Sequence, residues 1–281
     1  MPELPEVETV CRGLAPVLEG QILARVSLRR RDLRIPFPKD LVARAEGRRV
    51  ERIFRRAKYI VMALEGGDAL IAHLGMSGRM QVVKDRTTPF EAHDHVIFTT
   101  GGGVDVRFND PRRFGLLTIT ALKDLDDHKL FRHLGPDPLT DAFTPALLSA
   151  ALKGRKTSIK AALLDQRIVV GVGNIYACES LYLAGISPKR KAGSVAGPRA
   201  AALVPAIRKV LSQAIAAGGS SLRDHVQPSG ELGYFQHAWK VYGREGEPCK
   251  HQAAKRGAKA GVVKRIVQGG RSTFFCPECQ S

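Results

Sequence analysis

The stretch HDHVIFTTGGGVDVRFND, residues 93–110, decides the fold. Two runs rich in β-branched and aromatic residues flank Gly101-Gly102-Gly103, a pattern that predicts two strands joined by a glycine turn. Working outward, the same texture recurs in QILARVSL (21–28), RRVERIFRRAKYIVMAL (48–64), DALIAHLGM (68–76) and RFGLLTIT (113–120). Residues 21–120 therefore read as a two-sheet or barrel-like β domain. Ahead of it, Pro5, Glu6 and Glu8 look like the first turn of a helix, with proline early and acids at the positive end. Val7, Val10, Leu14, Val17 and Leu18 continue the helical period.

From about residue 140 the period changes. TPALLSAAL (144–152), TSIKAALLDQ (157–166), NIYACESLYLAGI (174–186) and GPRAAALVPAIRKVLSQAIAAGG (197–219) read as helices, the last ending at Gly218-Gly219. The polar stretch SSLRDHVQPSGELGYFQH (220–237) reads as a long surface loop. AAKRGAKAG (253–261) reads as a solvated basic loop.

Among the 281 residues, 44 Lys and Arg face 27 Asp and Glu, for a net charge of +17. Nine bases against two acids fall between Lys240 and Arg271 alone. That balance points to a polyanionic partner, nucleic acid first, with ribosome association or plain solubility as the other readings. No apolar run reaches membrane-spanning length, and the acidic start is no signal peptide, so the expected setting is a reducing cytosol. There, five cysteines serve as thiols or metal ligands rather than as a disulfide framework. Cys11 and Cys178 lie in helical patterns as small buried residues.

Cys276-Pro-Glu-Cys279 has the spacing of a zinc knuckle, and Cys249 upstream makes a third ligand. A paired arrangement calls for cysteine at 252, where the chain has Gln252, a poor zinc ligand. His251 is the nearest donor, so one reading is a Cys249, His251, Cys276, Cys279 site; the other leaves His251 a loop histidine. GVGNIYA (171–177) feeds a glycine turn into a helix at Asn174, a natural phosphate site because free N–H groups point outward there.

FNDPRRFG (108–115) sets two arginines and Phe114 on a proline turn, and HLGMSGR (73–79) sets Met76 on a glycine-flanked one. Each apolar residue has a core reading and a sharper one, as a wedge entering a base stack. Lys58, in RRAKY, reads as part of a basic strand. His93 and His95 lack a third ligand nearby, so no metal is expected there.

Pro2, beside Glu3, raises a separate question. With Met1 removed, its nitrogen becomes a secondary amine with a pKa near 7.7–8.0, against about 10.4 for lysine. A much larger share is then nucleophilic at neutral pH, and condensation with an aldehyde-level carbon gives a cationic iminium, an electron sink. The plainer reading keeps Pro2 incidental to the helix start.

Taken together, PELPEVETV, RRAKY, HLGMSG, HDH, NDPRRFG, GVGNIYACESLYLAGISP, GYFQ and GRSTFFCPECQ resemble the bacterial formamidopyrimidine-DNA glycosylase family along the whole chain. The resemblance implies an α+β protein: an N-terminal β-sandwich with a leading helix (1–135), a helix-two-turn-helix DNA-binding domain (136–235) and a C-terminal zinc-finger hairpin (236–281). It implies a bifunctional glycosylase and abasic-site lyase acting on oxidised purines in double-stranded DNA, as a cytoplasmic, nucleoid-associated monomer with one structural zinc. Pro2 matches the family's nucleophile, Glu3 the acid that opens the sugar, Lys58 the residue linked to β-elimination and Arg271 the one linked to δ-elimination. His93, Arg112, Arg155 and Asn174 fall on DNA-contact positions, and Met76, Arg112 and Phe114 on those that fill the gap left by an extruded base. Two competitors stand beside it: the sister enzyme for oxidised pyrimidines, and a non-catalytic nucleic-acid-binding protein with a zinc hairpin.

Overall fold

The computed structural model describes residues 1–220, 228, 233–250 and 261–281. They fall into two compact units, one of residues 1–133 with 215–236, the other of 134–214 with 237–281.

The first unit opens with helix α1 (Leu4–Leu18), whose Leu4, Val7, Val10, Cys11, Leu14 and Leu18 are buried at helical spacing. Two antiparallel four-stranded sheets follow. One runs β1 (Leu23–Leu28), then β6 (Asp94–Thr100), β7 (Asp105–Asn109) and β5 (Arg79–Val83) across its width. The other runs β2 (Val50–Arg56), β3 (Tyr59–Leu64), β4 (Asp68–His73) and β8 (Leu116–Ala121). One apolar cluster joins α1 to the inner faces of both sheets through Leu14, Leu23, Met62, Leu70, Phe98 and Phe108. The expected sandwich with a leading helix is the fold, and β6 and β7 are joined across Gly101–Gly103 as the glycine run predicts.

Three elements depart from the sequence reading. RRVERIFRRAKYIVMAL is a hairpin, because Arg56 pairs with Tyr59 and leaves Ala57-Lys58 as a two-residue turn. Ala57 takes φ +54°, so a turn usually built on glycine or asparagine is made without either and carries no composition signal. Helix α2 (Leu41–Ala45) and strand β5 were not foreseen, both being too short to show a period.

The second unit holds α3 (Pro145–Leu152), α4 (Ile159–Leu164), α5 (Asn174–Leu183) and most of α6 (Pro198–Ala216). Thr144 and Ser158 cap α3 and α4 by accepting from Leu147 and Ala161 main-chain N–H groups. Gly218 and Gly219 follow α6 in the left-handed region, the ending their sequence predicts. A hairpin of β9 (Lys264–Gln268) and β10 (Arg271–Phe275) turns on Gly269-Gly270, both at positive φ. Cys11 and Cys178 are buried, as expected. His251, Gln252, nearly all of AAKRGAKAG and most of the 220–237 stretch lie outside the described residues.

Candidate active site

In the first unit, the chain start is built into the fold. Pro2 is buried while Met1 is half exposed, and Glu3, the N-cap of α1, is only 3% exposed. Glu6 fixes this entry: its carboxylate accepts from the Glu3 main-chain N–H at 2.8 Å and from the Ser220 N–H at 2.9 Å. Two residues on, Glu8 accepts from Arg55 Nε at 3.0 Å, and Arg55 donates to the Ala57 carbonyl at 3.3 Å. A charge-assisted pair thus ties α1 to the tight turn that carries Lys58. Lys58 is 7% exposed, so the basic-strand reading is corrected twice: it sits on a turn, and it is buried.

A cleft of about 390 Å³ is lined by Met1, Arg34, His73, Gly75, Met76 and Phe114. Met76 and Phe114 are 39% and 48% exposed, which excludes the core reading for both. The Arg112 guanidinium lies over the Phe114 ring, 4.8 Å from its centroid. The two loops that present them meet backbone to backbone. A Cβ on Gly75, which has φ +65°, would stand 2.4 Å from the Phe114 carbonyl carbon. His73 is held neutral: burial first, then the charges of Lys58 and Arg34, bring its pKa down from 6.5 to about 4. Its Nδ1 accepts from the Gly75 N–H at 2.9 Å.

Asp110, fully buried, organises both loops and was not singled out from the sequence. One carboxylate oxygen accepts from Ser77 Oγ at 2.8 Å and the other from the Gly115 N–H at 2.7 Å. Its carbonyl meets His95 Nε2 at 3.0 Å, which keeps His95 inside while His93 stays exposed. An Asp before a proline turn was the available signal, but its partner at 77 lies 33 residues away.

In the second unit, Gln166 shapes the glycine turn: its side chain accepts from Gly171 N–H at 2.8 Å and donates to Val172 O at 3.0 Å. Asn174 opens α5, and its Nδ2 donates to Ser272 O at 3.0 Å and Tyr242 Oη at 3.3 Å, tying the helix start to the hairpin. The same carbonyl accepts from Lys160 Nζ at 3.0 Å. Glu179, buried on α5, accepts from the N–H groups of Lys240, Val241 and Tyr242 at 2.8–3.0 Å. Arg155 is exposed after α3, and Arg271 is exposed at the start of β10.

The Sγ atoms of Cys249, Cys276 and Cys279 lie within 4.8 Å of one another, with Cys249 and Cys279 at 3.5 Å. A tetrahedral zinc with Zn–S bonds of about 2.3 Å spaces its thiolates by roughly 3.8 Å, so the three cysteines fit the ion.

Three family models match in succession: the formamidopyrimidine-DNA glycosylase N-terminal domain over residues 1–117, the H2TH domain of the same proteins over 134–226, and the zinc finger found in FPG and IleRS over 261–281. The chain is 56% identical to a formamidopyrimidine-DNA glycosylase of Ruegeria pomeroyi and 54% identical to one of Roseobacter denitrificans, each covered in full by the full chain. Among solved structures it is similar to the MutM (Fpg) protein of Thermus thermophilus, with 42% identity, TM-score 0.85, and 99% and 98% of the two chains covered. It is also similar to a Lactococcus lactis FPG mutant in complex with a Fapy-dG containing DNA, with 31% identity, TM-score 0.90 and both chains covered in full.

Proposed function

The chain belongs to the formamidopyrimidine-DNA glycosylase family, and from that premise we propose a residue-by-residue course for its removal of oxidised purines from duplex DNA. The protein is a DNA glycosylase with the abasic-site lyase step of that family, working in base-excision repair. The observation that carries the assignment of residues is the cleft of the first unit. It is lined by the chain start, by a neutral histidine and by two exposed apolar side chains, one of them under a guanidinium.

With Met1 removed, the Pro2 nitrogen attacks C1′ of the damaged nucleotide. The glycosidic bond breaks and its electron pair leaves with the base, which takes up a proton. Glu3, desolvated at the helix start, gives a proton to O4′ as the sugar ring opens, leaving an iminium between Pro2 and C1′. That cation acidifies the C2′ proton. Its removal, assigned to Lys58, expels the 3′ phosphate; loss of a further proton then expels the 5′ phosphate, a step assigned to Arg271. In each elimination the C–H pair enters the new carbon–carbon double bond and the C–O pair leaves on a phosphate oxygen, so no oxidant or reductant is consumed.

Extruding the nucleotide costs a few kcal/mol. Met76, Phe114 and Arg112 are suited to occupy the vacated stack, because two of them are apolar and exposed and the third is cationic and stacked. His93, Arg155 and Asn174 are assigned to phosphate contacts, within a chain whose excess positive charge favours them. Zinc, held by Cys249, Cys276 and Cys279 with His251 as the proposed fourth donor, supplies no reaction chemistry; it fastens the hairpin that carries Arg271.

Borohydride reduction during turnover of an 8-oxoguanine duplex tests the assignment. The expected result is a covalent protein–DNA adduct whose mass places the DNA on Pro2, and its loss in Pro2→Gly or in protein that keeps Met1. Full trapping by methionine-bearing protein overturns the proline step, and faster release of thymine glycol than of 8-oxoguanine overturns the purine preference.

A further inference from the structure

We propose that Tyr182 is an outer-sphere partner of the metal centre, donating its hydroxyl to the Cys249 thiolate and so setting how tightly zinc is held. The inference rests on the metal reading of the three cysteines and concerns a residue that no ligand pattern in the sequence points to.

Tyr182 lies in the last turn of α5 and is 3% exposed. Its ring belongs to an apolar cluster with Cys178, Val241, Val263, Phe274 and Cys276. A hydroxyl buried among such side chains is costly unless it finds a hydrogen-bond partner, and its oxygen lies 3.1 Å from Cys249 Sγ. Once Cys249 is a metal-bound thiolate it carries no proton, so the direction is settled by chemistry: the phenol donates and the sulfur accepts. Three thiolates around one divalent ion leave a net charge of −1 in an apolar setting, and a hydrogen bond to a charged acceptor stabilises it more than one to a neutral thiol.

The position of Tyr182 on α5 gives that bond a reach beyond the metal. The same helix binds the hairpin at its start through Asn174 and Ser272 O, and holds the 240–242 turn through Glu179. Tyr182, two turns beyond Asn174, adds the third attachment, and it is the one that strengthens when the sulfur is a thiolate. Metal occupancy is thereby linked to the helix whose first residue anchors the hairpin of Arg271.

The test is Tyr182→Phe in the full-length zinc protein, which keeps the ring and removes only the oxygen. Zinc affinity, read by competition with a chelator, is expected to fall about tenfold, the lower end of outer-sphere effects. In the cobalt-substituted protein the sulfur-to-cobalt charge-transfer band is expected to move to lower energy, because a thiolate without its donor is easier to oxidise. Tyr242→Phe removes a neighbouring hydroxyl of the same cluster and should change neither quantity. Affinity within twofold of the parent, an unmoved cobalt band in Tyr182→Phe, or an equal effect of Tyr242→Phe overturns the proposal. A parent protein that binds no zinc instead overturns the metal reading beneath it.

Discussion

Acidification should find one histidine before it finds the carboxylates. His73 lines the cleft, its Nδ1 accepts from the Gly75 N–H, and its ring packs 4.8 Å from that of Tyr59. Burial, with Lys58 and Arg34 adding positive charge, lowers its folded pKa to about 4, against 6.5 in the unfolded chain. Between those values the unfolded state binds more protons than the native one, so stability rises with pH across the window and is lost as pH falls from 6.5 towards 4. Integrating the two titration curves from about pH 7 to about pH 4.5 gives a loss of about 2 kcal/mol from this one group. His73→Asn supplies an oxygen acceptor for Gly75 and does not titrate. Urea unfolding of both proteins in half-unit steps, followed by tryptophan-independent circular dichroism, should show the parent losing about 2 kcal/mol more than the variant over that range. Carboxylates common to both cancel in the difference. Carbon-13 NMR of labelled histidines reads the same pKa directly. Parallel stability profiles, or a His73 signal titrating above pH 6, would refute the reasoning.

Asp110→Asn places an amide where one oxygen must accept, so about 1–3 kcal/mol of stability should be lost, with excision falling further as the Met76 and Phe114 loops part; thermal melts and single-turnover release check both. Gly75→Ala meets the Phe114 backbone at 2.4 Å on a residue at φ +65°, and should cost more than the 1–2 kcal/mol of left-handed strain alone, measured by urea midpoint. Arg55→Met should leave the fold in place but slow β-elimination by about tenfold or more, because Lys58 loses its tie to α1; accumulation of uncleaved abasic product on gels reports it. Gln166→Ala removes the bonds that Gln166 makes to the Gly171 N–H and Val172 O, and should weaken duplex binding in a fluorescence titration by about 1–2 kcal/mol while borohydride trapping at saturating DNA persists.

β-branched and aromatic content was enough to read the two strands around Gly101–Gly103, which are buried throughout, and apolar period to read helix α1 and helices α3 to α6, of which α1 and α6 bury one face at a regular spacing while α5 is buried nearly all round. The spacing of Cys276 and Cys279 and the third thiol at Cys249 were legible in the same way, because two of the ligands are neighbours in sequence. The Ala57-Lys58 turn was not, for its left-handed residue is an alanine that the pairing of β2 with β3 holds in place.

Site construction divides along the same line. That Pro2, Lys58, Met76, Phe114 and Arg112 carry chemistry could be argued from residue type and resemblance. Their exposure, or lack of it, could not: Phe114 and Lys58 exchange the environments that an apolar and a charged side chain ordinarily take. The residues that enforce this are Glu6, Glu8, Arg55 and Asp110, each bonded to a partner distant in sequence: Ser220, Arg55, Glu8 and Ser77 in turn. A carboxylate has the same appearance in a sequence whether it faces water or clamps two loops. Only the folded chain, by bringing the partner within 3 Å and excluding water, decides which it does.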